Sequence, residues 1–236
     1  MNQFFYTDIF DTKGIEYLVV IGFLLLIIPF WMMLNRPLKL KARVGQALGA
    51  LTARMLRIPQ GLFYHRNHTW THLERSGLVM IGLDDLLLHL TGGVELEYLK
   101  NHQERVKKGE PIARIIQDGK DLVIASPISG EIRRLHRSLE KDPGAISDDP
   151  YASWLARIKP ENWREETGGT LMAEEATRWA EEELERFKDF MASELAESPE
   201  QREVILQAGG ELVDHPLSGM DQRVWTDFQN KFLLPE

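Results

Sequence analysis

The chain has 236 residues, a formal net charge of −8 and no cysteine. The missing thiols exclude disulfides, thiolate metal sites and cysteine-ligated iron–sulfur clusters within the chain. The acidic balance, with no basic aromatic surface in the central region, speaks against nucleic acid as a partner. The length allows one globular domain of roughly 100 residues, an N-terminal anchor and a C-terminal extension.

Residues 1–16 form a short N-terminus in which Asp8, Asp11 and Glu16 outnumber Lys13. From Tyr17 to Leu34 there is no charged residue, and Leu, Ile, Val, Phe and Met dominate. At about 1.5 Å per residue such a stretch is long enough to cross a bilayer as a helix, so residues 17–35 are expected to be a transmembrane span that Pro29 can kink. The acids before it and the lack of a small-residue cleavage site favour a retained anchor over a cleaved signal. Residues 36–59 are basic: Arg36, Lys39, Lys41, Arg43, Arg54 and Arg57 follow one another with no intervening acid. Positive charge after the span places the short N-terminus on the outer side and the large C-terminal part in the cytoplasm, at the inner (cytoplasmic) membrane in a single pass. Val44, Ala47, Leu48, Leu51, Met55 and Leu56 recur at helical intervals, a pattern for a helix lying along anionic headgroups or for a stalk packed on protein.

Residues 60–163 read as mainly β. Val94, Leu96 and Tyr98 alternate with Glu95 and Glu97, which is the period of a half-buried strand. A second apolar run, Ile112 to Ile116, and a third, Leu122 to Ala125, flank Asp118-Gly119. That dipeptide supplies the two positive φ values of a tight type I′ hairpin, so the chain should reverse there. Ser126-Pro127 ends the third run, and Gly130 marks a further turn before Glu131-Ile132. Short strands with regular turn punctuation argue for a small barrel or sandwich. No nucleophile elbow, phosphate-cradling glycine loop or zinc-protease motif is present, so the sequence offers no catalytic centre.

The order of several motifs in this region resembles the H protein of the glycine cleavage system, within the lipoyl and biotinyl carrier class. They are Tyr64, His68 and Trp70; Gly82-Leu83-Asp84-Asp85 opening a helix; and Val106 to Pro111. Ser126 to Ile132, Asp149-Pro150-Tyr151, Trp154-Leu155 and Ile158-Lys159-Pro160 complete the set. The resemblance implies a barrel-sandwich hybrid of the lipoyl-domain type and a carrier rather than a catalyst. It also implies that Tyr64 to His72 is a strand. His65, His68 and His72 have a spacing that would align three rings on a helix, but a strand scatters them over two faces, so no metal site is expected.

The resemblance fails at one place. In the family, a lipoyl lysine stands at the hairpin tip within a Glu-Ser-Val-Lys-Ala segment. Counting between Pro111 and Ser126-Pro127 puts Gly119 at the lysine position, Lys120 at the alanine position and Ile116 at the glutamate position. Successive strand residues face opposite sides, so a one-residue displacement changes both the direction and the surroundings of an amine. Two readings follow. In one, the fold carries no cofactor and serves as a membrane-bound scaffold. In the other, Lys120 carries lipoate.

Residues 164–236 form a helical extension beyond the resemblance. Ala176, Trp179, Ala180, Leu184, Phe187, Met191 and Leu195 share one helix face, with Glu181, Glu182, Glu185 and Lys188 opposite. Ser198-Pro199 with Gln201 reads as the start of a second helix, which Gly209-Gly210 should stop. A last amphipathic stretch holds Val224, Trp225, Phe228 and Phe232. Such stripes bury themselves on the β domain or on a partner chain. The candidate partner-binding residues are therefore Asp118, Gly119 and Lys120 at the hairpin, with Trp179, Phe187, Trp225 and Phe228 in the extension.

Overall fold

The computed structural model describes residues 17–27, 50–196 and 212–234. The chain divides into two units, Met1–Val44 and Gly45–Glu236. In the first unit, residues 17–27 form helix α1, whose apolar side chains are exposed on all sides. Among the described residues, no helix is long and apolar enough to cross a membrane. The second half of the expected span, residues 28–35, and the basic residues 36–49 lie outside the described residues.

The second unit is built from short antiparallel strands. They are β1 (Ala50–Leu51), β2 (Phe63–His65), β3 (Thr69–Leu73), β4 (Val79–Leu83), β5 (Glu95–Tyr98) and β6 (Arg105–Val106). After these come β7 (Pro111–Gln117), β8 (Lys120–Ala125), β9 (Gly130–Leu135), β10 (Ala156–Pro160) and β11 (Leu212–Val213). Helix α2 (Asp85–Thr91) follows β4, and α3 (Gly144–Asp148) and α4 (Trp163–Glu166) flank β10. The long α5 (Ala173–Glu194) and the short α6 (Gln222–Phe228), which runs on into a π-helical turn at Gln229–Leu233, make up the extension.

Six strands pair in the order β2-β3-β4-β10-β9-β6 and three in the order β5-β7-β8, while β1 pairs with β11. Apolar residues at every second position, among them Ile81 and Leu83 of β4, Ile115 of β7, Leu122 and Ile124 of β8, and Ile132 of β9, point into one core. Each of these is at least 99 % buried. Burial of this kind, at about 25 cal/mol per Å² of apolar surface, is what drives the sheets together.

The mainly β expectation with a C-terminal helix agrees with this architecture. Several local expectations need correction. Tyr64 to His72 is a hairpin instead of a single strand: β2 and β3 pair with Tyr64 opposite Trp70, and His68 turns the chain with φ 58°. Leu51 belongs to a strand, and Ala53–Met55 forms a 3-10 turn, so the described end of the basic stretch is not one continuous helix. Gly130 opens β9 instead of marking a turn, and glycine is required there because a Cβ would collide with the carbonyl oxygen of Lys159 on the neighbouring strand. The expected helix between Ser198 and Gly209 falls outside the described residues.

Candidate functional site

The site of interest is the β7–β8 hairpin and the chain that covers it. Asp118 and Gly119 have φ values of 50° and 80°, the two positive angles of a type I′ turn, and both residues are exposed. Gln117 pairs with Lys120 and Ile115 with Leu122. Strand residues two apart share a face, so Lys120 stands on the same side of β8 as the fully buried Leu122, while Asp121 points the other way to meet Arg114 at 3.3 Å. The Lys120 side chain therefore runs toward the core side and into the C-terminal segment. Its Nζ donates to the carbonyl oxygens of Ser218 at 2.6 Å and Met220 at 3.0 Å. The ammonium also lies 5.1 Å from the centre of the Trp225 ring, a cation–π distance.

The same segment closes the free edge of the three-stranded sheet. The Val123 N–H donates to Gln229 Oε1 at 2.6 Å, and Gln229 Nε2 donates to the Val123 carbonyl at 3.1 Å. One side-chain amide thus imitates the two hydrogen bonds a neighbouring strand would make. On its other flank, the hairpin is tied to the end of α2, where Gln117 Nε2 donates to the carbonyls of Thr91 and Gly93, each at 2.9 Å. A hollow of about 310 Å³ remains beside the turn, lined by Gly93, Glu95, Ile116, Gln117, Asp118 and Gly119.

A second cluster holds α5 against the β2–β3 hairpin. His68 is fully buried, and its Nδ1 sits 2.9 Å from Asp84 Oδ2. Its Nε2 lies 3.5 Å from Glu183 Oε1 of α5, an ion-pair distance without hydrogen-bond geometry. Asp84 is also the N-cap of α2, accepting from the Leu87 N–H at 2.8 Å. Burial by itself would strip the proton from His68, but the carboxylates of Asp84 and Glu183 outweigh it and push the ring up to about 9. For Glu183, burial opposes ionisation, yet the paired His68 and then Arg186 bring its carboxyl below the usual range. Here the chain holds a charged imidazolium between two carboxylates, and a metal ion in that place would compete with the proton. His65 is the opposite case: burial first, and then the charge of Lys108, push its ring down to about 3, and it bonds Thr71 Oγ1 instead. His72 reaches the Gly61 carbonyl. The three histidines thus have three separate sets of partners, and no group of three metal-ligating side chains forms among the described residues.

The extension residues singled out as partner-binding candidates fill the core. Phe187, Trp225 and Phe228 are fully buried and Trp179 is 94 % buried. The stripe packs within the chain, which corrects the alternative in which these four rings were free to face another protein. At the hairpin only Asp118 and Gly119 are exposed, and Lys120 is half-buried. Sequence reasoning missed Glu183, because a charged residue at a buried helical position carries no apolar signal. It also missed Gln229, whose contacts are with backbone groups alone.

A six-stranded and a three-stranded antiparallel sheet, the second carrying the tight β7–β8 hairpin, frame this site. The family model for the glycine cleavage H-protein matches residues 62–183. The chain is 30 % identical over 118 residues to the probable glycine cleavage system H protein of Pyrococcus abyssi, covering 50 % of this chain and 88 % of that one. It is 35 % identical over 111 residues to the corresponding protein of Picrophilus torridus, covering 46 % and 86 %. It is 32 % identical over 108 residues to the glycine cleavage system H protein of Ralstonia nicotianae, covering 46 % and 85 %. A crystal structure of the H protein from Mycobacterium marinum aligns with a TM-score of 0.46 and 24 % identity, over 52 % of this chain and 98 % of that one. The chain belongs to the glycine cleavage H-protein family, whose members are carriers and not catalysts. Residues 212–234, which bond to Lys120 and to Val123 of the edge strand β8, lie outside the matched span.

Proposed function

We propose that the protein is a non-catalytic scaffold or adaptor, anchored in the inner membrane, whose H-protein-like domain works without a lipoyl arm and organises a cytoplasmic or membrane protein complex. The observation that carries this reading is the state of the hairpin. Gly119 occupies the turn and offers no amine, and the one lysine beside it spends its charge on two carbonyls and an indole ring. Lipoate does not fit that arrangement. An amide nitrogen keeps a single N–H, so acylation would leave one of the two carbonyls without its donor, and the acyl chain would need the space that Ser218, Met220 and Trp225 occupy. The exposed tip at Asp118 and Gly119, with the hollow beside it, is the surface left for a partner.

Anchoring is supported by α1, whose apolar side chains such as Leu18 and Leu26 are about 70 % exposed and therefore call for an apolar surrounding. The uncharged sequence continues to Leu34, and a basic stretch follows it. The second reading is a membrane-tethered carrier modified at Lys120. It draws on the relatives, which are named as H proteins, and on the position of Lys120 one residue past the turn. Tethering would raise the effective concentration of such an arm.

The anchor is tested on the full-length chain in its native cells. It should sediment with membranes through an alkaline carbonate wash and need detergent for release, together with at least one protein in fixed ratio. Release by carbonate alone would overturn the anchor, and recovery of the chain without companions would overturn the scaffold.

A further inference from the structure

We propose that residues 212–234 are an intramolecular guard: they hold the Lys120 amine out of reach of acylating reagents, and the chemistry of this hairpin is set by whether they are docked. The inference deepens the reading above and rests on Lys120 being unmodified at rest.

The guard is clamped at both ends. Toward its start, Asp214 Oδ1 meets His89 Nδ1 of α2 at 2.9 Å, and the His215 N–H donates to the His89 carbonyl at 2.9 Å. Toward its end, Gln229 makes its paired bonds to Val123 on β8. Between them the chain is shaped around the amine. Residues Pro216–Gly219 form a 3-10 turn whose Ser218 carbonyl, with that of Met220, faces Lys120. Trp225 is held by its own indole N–H on the Leu217 carbonyl at 2.8 Å, which fixes the ring beside the ammonium. Leu217, Trp225 and Phe228 are fully buried, so this arrangement is packed into the core. A lysine merely resting on the surface would have neither a tailored pair of carbonyls nor an immobilised ring.

An amine reacts only as the free base with a clear approach to its lone pair. The docked segment ties the amine to two carbonyls and fills the approach to it, so reaction has to wait for local opening. With acetic anhydride the Lys120 nitrogen attacks a carbonyl carbon, a C–N bond forms, acetate leaves and the amine proton passes to solvent. The exposed Lys141 and Lys159 serve as internal references in the same molecule.

The test is limited acetylation of the purified full-length chain, read peptide by peptide by mass spectrometry. In the unaltered chain Lys120 should react about tenfold more slowly than Lys141 and Lys159, because it reacts only when the segment opens. Gln229→Ala removes the clamp on β8, and Trp225→Phe keeps the aromatic filling while removing the indole N–H. Trp225→Phe, which loses one hydrogen bond, should speed acetylation of Lys120 by about threefold, and Gln229→Ala, which loses two, by about tenfold, with both references unchanged. Equal rates for Lys120 and the references in the unaltered chain would overturn the guard. So would an unchanged lag in both variants once hydrogen exchange at Val123 shows the edge to be open. A lipoyl group found on the native chain would instead defeat the underlying reading, which is a separate measurement on untreated protein.

Discussion

Replacing His68 with asparagine should lower folding stability by about 3–5 kcal/mol, because removing one partner of a buried ionic cluster leaves Asp84 without its counter-charge and Glu183 with Arg186 alone. Asp84 and Glu183 would remain inside the protein without the imidazolium that separates them. Asparagine tolerates the φ of 58° at this turn, so the loss reports charge and not backbone strain. The pH profile supplies a second signature. A free imidazole titrates near 6.5, whereas His68 in the fold does so at about 9. Its contribution is fully present below pH 6.5 and is lost as pH rises through 9, an amount on the order of 3 kcal/mol. Urea midpoints of the unaltered chain should therefore fall between pH 6.5 and 9. The His68→Asn midpoints should lose this part of the slope and keep the part contributed by His89. Burial disfavours the charge on His89, but Asp214 and then Asp85 more than offset that and raise its pKa too. A midpoint independent of pH in the unaltered chain would show that His68 is not held charged.

Phe187→Ala should have a comparable effect, about 3–5 kcal/mol for deleting a large buried aromatic side chain. Phe187 is fully buried at the centre of four rings, with edge contacts to Phe228 and Phe232 at centroid distances of 5.6 and 5.9 Å and a tilted contact with Phe190 at 5.9 Å. These rings join α5 to α6 and so join the family-like part of the chain to the segment over Lys120. The loss should thus appear in denaturant unfolding and also as faster hydrogen exchange at Val123, whose N–H depends on Gln229. Unchanged exchange at Val123 would mean that the segment docks independently of the aromatic cluster.

The parts of the fold that were legible in the sequence are those written in side-chain pattern. Asp118-Gly119 announced the hairpin because few other dipeptides accept two positive φ values in succession. The α5 stripe was readable because Ala176, Trp179, Ala180, Leu184, Phe187 and Met191 repeat at the helical period, and all are buried. Phe190 is buried too and went unread beside Phe187, since it sits at the edge of the stripe. The turn at His68 had no glycine to betray it. Its ring contacts, with Asp84 and Glu183, are long-range. The pairing of β1 with β11 joins two residues to two others far along the chain, too short a strand for any periodicity. The surroundings of Lys120 were the least legible of all. Its partners Ser218 and Met220 act through backbone carbonyls, which every residue has, and only the fold decides which of them converge.

The most direct test is the mass of the full-length chain isolated from its own cells, with the peptide containing Lys120 sequenced by fragmentation. A scaffold whose arm position is a glycine predicts the unmodified mass and a free Lys120 in that peptide. A lipoyl-sized increment localised to Lys120 would contradict it and make the protein a carrier in use.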